Sequence, residues 1–442
     1  MITLGCPKNL VDSEVMMGIL AREGYAFTPN PEEAEIIVVN TCGFIGPSQD
    51  ESIDAILDAA AKKQSGKCQK LVVTGCLVQR YPEKLAAELP EVDLFIGTGE
   101  FQKLPELLGK KVREAVGRPE FVYDSLTPRI ITTPTATAYV KIAEGCDQKC
   151  TFCIIPQLRG LHRSREPEDI LREVKRLAKQ GVREIILVSQ DSSAYGRDLA
   201  APTTLSALLR KLDAVKALTW VRVMYLYPKH FDDDLIDILA NGERVLPYVD
   251  MPLQHISDPV LKAMKRGTRE GATRELIVKL RERIPGLVFR TTFIVGFPGE
   301  TEADFEKLDA FVGEGHFDRV GVFRYCREEG TPAAGLPGQV SERVKTSRYR
   351  KLMKTQQPIA LARNQALVGR EFDVLVEGVS EETDLLLRGR YYGQAPEIDG
   401  VVLVNAGQAQ AGEFHKVRIT EAHPYDLVGG TTEALDDLVS CS

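Results

Sequence analysis

Short apolar runs alternate with helix-length amphipathic stretches over the first quarter of the chain. Ile36-Ile37-Val38-Val39, Leu71-Val72-Val73 and Asp93-Leu94-Phe95-Ile96 read as strands of a buried parallel sheet. Val11 to Glu23 and Ser48 to Lys63 read as the helices between them. This predicts an open parallel-sheet α/β domain over residues 1–112. Residues 113–131, with Pro119 and Pro128 and no sustained period, read as a linker.

From Thr132 the alternation resumes. Strands are expected at 138–143, 184–189, 220–225, 248–251, 288–295 and 319–325, and helices between them. Ile170, Leu171, Val174, Leu177 and Ala178 mark the apolar stripe of one such helix. Six β/α units make a partial parallel barrel, a core spanning residues 132–361. Its active face is expected at the carboxyl ends of the strands. Residues 343–369 read as a basic helix with a solvated face, carrying Arg343, Lys345, Arg348, Arg350, Lys351 and Lys354. Residues 364–430 change to short strands separated by turn residues: 372–376, 385–387, 401–404 and 414–419. They predict a small antiparallel β barrel of the kind that recognises macromolecules. Residues 431–442 read as a mobile acidic tail, with Cys441 incidental.

Nine cysteines in 442 residues change this picture. Cys146, Cys150 and Cys153 form a C-x3-C-x2-C triplet directly after the first barrel strand. Three thiolates can hold a cubane iron–sulfur cluster and leave one iron open. Zinc is the rival, with His162 as a fourth ligand. Cys6, Cys42 and Cys76 each fall one to three residues past a predicted strand, at the edge where ligands of open α/β sheets gather. They predict a second three-cysteine metal site; scattered buried thiols are the plain alternative. Cys68, in a polar loop, and Cys326, after a different strand, stand apart.

Further segments fall at the strand ends of the barrel. Gly296-Phe297-Pro298-Gly299-Glu300-Thr301 lets backbone approach a ligand, and Thr301 with Asp304 also fits a helix N-cap. Gln190-Asp191-Ser192-Ser193 and Pro252-Leu253-Gln254-His255 are polar. Phe152 places a ring beside the triplet, for a purine or for plain packing.

The net charge of −7 is uneven: Arg370 onward holds 5 basic and 14 acidic residues. An acidic end disfavours nucleic acid and suits a basic protein. No apolar run of about 18 residues predicts a membrane span. The N-terminus lacks the pattern of a signal peptide, so a cytoplasmic protein is expected. Only five residues precede Cys6, which places the true start upstream of Met1 or leaves that sheet edge weak.

The C-x3-C-x-Phe-C run after the first strand of a partial barrel resembles the radical S-adenosylmethionine superfamily. That resemblance implies a [4Fe–4S] cluster on Cys146, Cys150 and Cys153, with S-adenosylmethionine chelating the open iron and yielding a 5′-deoxyadenosyl radical. It makes Phe152, Gln190, Gly296, Gly299 and Glu300 the candidate cofactor contacts. The order of domains is similar to that of the methylthiotransferases: a three-cysteine domain, a radical core and a TRAM barrel. In that family Cys6, Cys42 and Cys76 would hold an auxiliary [4Fe–4S] cluster that carries the sulfur, and S-adenosylmethionine would serve twice, as methyl donor and radical source.

Leu4-Gly5-Cys6-Pro7-Lys8-Asn9, Asn40-Thr41-Cys42-Gly43-Phe44-Ile45, Pro252-Leu253-Gln254-His255 and Pro424-Tyr425-Asp426-Leu427 resemble the branch that modifies an aspartate β-carbon in ribosomal protein S12. The partners implied are S12, a basic protein meeting the acidic barrel, and a reductant protein. Direct modification of transfer RNA is not expected. The alternatives are a transfer-RNA adenosine methylthiotransferase and, distantly, a zinc-stabilised binding protein.

Overall fold

The computed structural model describes residues 1–134 and 136–440. Five parallel strands pair in chain order at the N-terminus: β1 (Ile2–Thr3), β2 (Ile36–Thr41), β3 (Lys70–Gly75), β4 (Leu94–Ile96) and β5 (Glu114–Ala115). Val38 and Val72 pack with Val11 and Val15 of the helix Pro7–Arg22. Ile37, Val39, Leu71 and Val73 turn the other way, onto Ile56, Ala59 and Ala60 of the helix Gly46–Ser65. Burial on both faces is why these strands are continuously apolar.

The stretch read as a linker is packed. It contributes β5, and a two-residue edge strand leaves no period to read. Beyond β5, Tyr123 is buried and Arg129 is clasped by Glu14 at 2.5 Å and Glu173 at 2.9 Å.

The core begins with β6 (Thr137–Lys141) and a small hairpin, β7 (Ala143–Glu144) with β8 (Arg163–Ser164). β9 (Glu184–Val188), β10 (Trp220–Val223), β11 (Tyr248–Asp250), β12 (Val288–Val295) and β13 (Arg319–Arg324) follow. β6, β9 and β10 form one parallel sheet, and β11, β12 and β13 another. A single bridge, Val221 to Val245, continues the curve between them. The result is a partial barrel in sequential order. Val140, Leu187, Val221, Val249 and Phe293 face the surrounding helices. Tyr139, Ile186, Trp220 and Tyr248 face the other way, toward the Pro7–Arg22 helix and the C-terminal domain.

β14 (Glu371–Val379), β15 (Leu387–Tyr391), β16 (Val402–Ala406), β17 (Phe414–Ala422) and β18 (Leu427–Thr431) close a barrel in the order β14-β15-β16-β18-β17. β18 gave no signal, since Gly429 and Gly430 break its pattern. It pairs parallel with β16, and the other pairs are antiparallel. The acidic residues after 430 are no loose tail: Thr432–Ser440 is a helix, and Asp436 pairs with Arg418 at 2.8 Å. Cys441 lies outside the described residues.

One further expectation changes. On the helix Glu342–Gln365, Lys345 and Arg348 are only 3% and 6% exposed instead of solvated. Their partners are Glu342, the Tyr325 ring, Glu300 and Glu302. The docking of the C-terminal barrel had no expectation from the sequence. The barrel seals the amino ends of the core strands. Glu184, first in β9, accepts from Arg390 at 2.7 Å and from Arg222 at 3.0 Å. Trp220, first in β10, meets Phe414 edge-on at 4.6 Å, and the Tyr248 hydroxyl donates to Asp399 at 2.7 Å. The carboxyl ends stay on the opposite side.

Candidate functional site

Cys6, Cys42 and Cys76 leave the carboxyl ends of the neighbouring strands β1, β2 and β3. Gly5, at φ +89°, lets the first two loops touch: a Cβ there would lie 2.8 Å from Cys42 Cβ. Cys6 caps the helix Pro7–Arg22, and Cys76 opens the helix Cys76–Arg80. Asn9 ties the loops together, its Nδ2 donating to Leu4 O at 3.0 Å and Thr41 O at 2.9 Å. The structure therefore brings these three together on one rim. Cys68 is buried in the core of the domain, hydrogen-bonded to Lys70 O, and Cys326 follows β13.

Cys146, Cys150 and Cys153 lie on the loop leaving the β7 end of the barrel wall. Thr151 anchors that loop, its N–H donating to Met264 O and its hydroxyl to Ala263 O. Gln148 N–H donates to Cys146 Sγ at 3.4 Å. Arg266 lies against the Tyr227 ring and brings Nη1 within 3.6 Å of Cys150 Sγ.

Burial pushes the thiols of Cys146 and Cys153 up to about 12 and that of Cys76 up to about 11; Cys42 is also raised. Metal binding must therefore displace their protons. Arg159, fully buried, donates Nε and Nη2 to Cys76 Sγ, both at 3.3 Å. Two guanidinium N–H groups on one sulfur suit a thiolate, so the residues present fit thiolate ligation of a cluster. Among the described residues no three His, Cys, Asp or Glu side chains gather around a point, as a single ion would require. A cubane instead takes each sulfur on a different iron. His162, the ligand of the zinc alternative, turns Nε2 to Ser164 at 3.1 Å.

Sequence reading missed what lies between the two triplets. Arg159 Nη1 donates to Asp12 at 2.6 Å, and Lys141 Nζ reaches both Asp12 and Glu144 at 2.5 Å. Glu144 stands two residues before Cys146 and accepts from Gln190 Nε2. A buried chain of charges thus runs from Cys76 to the second triplet's loop. Lys8 and Tyr225 adjoin it, the Lys8 ammonium lying 3.3 Å above the ring centre. No spacing in the sequence announces such contacts between remote residues.

The five residues expected to touch a cofactor are placed unequally. Phe152 is half-buried and packs edge-on against Phe297, 6.5 Å between centroids. Gln190 Oε1 is buried without a partner. Gly299, at φ +83°, has open space where a Cβ would stand. At Gly296 the close approach is made by Lys345, whose Cγ would be 2.3 Å from a Cβ. Glu300 is occupied within the chain. It accepts from Gly296 N at 2.6 Å, Phe297 N at 3.1 Å and Arg348 at 2.8 Å. Burial pushes its carboxyl up to about 7, although these three donors pull it down. Thr301 and Asp304 form the expected cap as a full capping box.

Strained backbone clusters at the same face. Tyr225 and Gln254, neither a glycine, adopt φ +62° and +73° after β10 and β11.

Comparison with known proteins divides the chain in the same order. Residues 1–97 match the uncharacterized protein family UPF0004, residues 140–312 the radical SAM superfamily, and residues 368–431 the TRAM domain. The chain is 52% identical to the ribosomal protein uS12 methylthiotransferase RimO of Syntrophotalea carbinolica, covering 99% of this chain and 97% of that one. It is 53% identical to the RimO of an Anaeromyxobacter species, covering 97% and 92%. Among solved structures it resembles the radical S-adenosylmethionine methyltransferase TsrM from Kitasatospora setae, with a TM-score of 0.55 at 17% identity. That likeness covers 75% of this chain and 74% of that one, and concerns the fold.

Proposed function

Because this chain belongs to the RimO family of methylthiotransferases, radical enzymes that use iron–sulfur and S-adenosylmethionine cofactors, we propose that it adds a methylthio group to the β-carbon of an aspartate in ribosomal protein S12. The reaction would consume two S-adenosylmethionine molecules and a sulfur donor. Cys146, Cys150 and Cys153 would hold the [4Fe–4S] cluster that binds S-adenosylmethionine. Cys6, Cys42 and Cys76 would hold the auxiliary [4Fe–4S] cluster. Bound together, these groups supply a radical strong enough to take a hydrogen from an unactivated carbon, which acid–base side chains cannot do.

The observation that carries this reading is the meeting of two cysteine rims from two separate sheets, joined at Cys76 by Arg159. The chain's own part is orientation and exclusion of water. Gln190 offers a buried acceptor, Phe152 a ring and Gly299 an open backbone approach to S-adenosylmethionine. Glu300 and Arg348 hold the loop that presents Gly299. The acidic C-terminal domain would attract the basic body of S12, with Glu382 and Asp384 on an exposed loop. A reductant protein would supply electrons.

Mass spectrometry of S12 and transfer RNA from a deletion strain tests this. Loss of the methylthio increment from S12 is expected. Loss from transfer RNA alone would overturn the proposal.

A further inference from the structure

Lys8 is a buried cation with no carboxylate ion-pair partner among the described residues. It is 8% exposed, in the first turn of the helix that Cys6 caps. Among the described residues no Asp or Glu oxygen lies within 4.0 Å of its ammonium, whereas its buried neighbours Lys141 and Arg159 each have at least one. Its contacts are with Tyr225, whose ring and hydroxyl it meets, and Cys6 and Glu144 lie within electrostatic reach. A cation–π contact returns less than the burial of a charge with no carboxylate beside it costs. No carboxylate among the described residues stands beside the ammonium to complete its set of partners.

The surroundings make Lys8 a fixed receptor. Tyr225 comes from the carboxyl end of β10, so its ring brings the barrel face against the cysteine rim of the N-terminal sheet. Its left-handed backbone is pinned on both sides: Tyr225 N–H donates to Asp250 at 2.9 Å, and Ser192 N–H donates to Tyr225 O at 3.0 Å. Asp250 is itself locked by Arg290 at 2.8 Å. The ammonium lies over that pinned ring, two residues from Cys6 and within the electrostatic reach of Glu144, close to Cys146 in the chain.

We propose that Lys8 receives the side-chain carboxylate of the substrate aspartate. This rests on the reading that an aspartyl residue is modified. The γ-carboxylate is bonded directly to the β-carbon. An anchor beside Cys6 thus holds the reacting carbon one bond from the anchored carboxylate, next to the rim proposed to deliver sulfur. It also selects aspartate over asparagine, because only the former brings the missing charge. Lys8 is then a positioning and specificity residue, with the charge of an auxiliary cluster as its rival partner.

The test uses the full chain with its clusters reconstituted anaerobically. Its probes are an S12 peptide carrying the aspartate and the same peptide with asparagine. The parent should bind the aspartate peptide at least about tenfold more tightly, as expected for a charge-assisted contact, and salt should shrink the difference. Lys8→Met should bind both peptides at the asparagine level, and Lys8→Arg should recover part of the preference. Iron content should stay unchanged in Lys8→Met.

Equal binding of the two peptides by the parent would overturn the proposal without any variant. So would a Lys8→Met protein that keeps the preference but shifts the cluster potential or loses iron, which would make Lys8 a cluster counter-ion. If the parent binds neither peptide and binds a transfer-RNA stem-loop instead, the substrate reading itself fails.

Discussion

Arg159 and Cys76 are 83 residues apart in the chain and meet through two N–H···S contacts. The six rim cysteines were legible because ligand spacing within a loop, and position after a strand, are both written in order along the sequence. Arg159 and Arg266 were not. Each acts on a cysteine loop or its neighbour across a tertiary contact, and one cation in a chain with 56 Lys and Arg residues carries no spacing signal. The triplets also differ in what they touch, which makes their roles separable. Cys150→Ala should abolish reductive cleavage of S-adenosylmethionine and leave the N-terminal triplet intact. Iron should fall from about eight to about four per chain, as two cubanes become one. Iron analysis and cleavage assays check this, and undiminished cleavage would contradict the assignment.

At the scale of elements, the loop from Gly296 to Thr301 shows where pattern reading stops. Its place after a strong strand and its N-cap were legible. The inward turn of Glu300 was not, since its partner Arg348 lies on a helix 48 residues away that reads as solvated. A basic stripe looks the same in sequence whether it faces water or buried carboxylates. Arg348→Met would strand Glu300 in the interior, at a cost of about 3–5 kcal/mol where the carboxylate is ionised. The cost depends on pH. Glu300 already titrates near 7 because of burial, and removing the arginine raises it further. The folded variant then holds a proton that the unfolded chain has released, so its stability falls as pH rises from about 5 to 8. The parent shares that fall up to about 7, where its own Glu300 ionises, so urea unfolding should show parallel profiles below about 7 and a deficit of Arg348→Met that widens above it. Arg348→Met with Glu300→Gln should show a flatter profile.

At the scale of the molecule, three regions could be read from the sequence, but not how they dock. Strand periods reveal a barrel and say nothing of which surface it covers. Here the C-terminal barrel forms the floor of the core. Arg390, itself 1% exposed, crosses to Glu184, while Leu375, Ala395 and Phe414 join Trp220 and Tyr248 in one apolar cluster. Such a floor is part of the fold as much as a surface for a partner. Removing residues 370–442 would leave Glu184 facing Arg222 without Arg390, and would open Trp220 and Tyr248 to water. Burying a large aromatic side chain contributes about 1.5–3 kcal/mol, and Glu184 loses one of its two guanidinium partners. Together these approach the whole stability of a typical domain, about 5–15 kcal/mol. The truncated chain should therefore fail to accumulate as soluble protein, and the intact chain should lose the core and the C-terminal barrel in one urea transition. A soluble, cluster-loaded core that still cleaves S-adenosylmethionine without residues 370–442 would show that the barrel serves recognition alone.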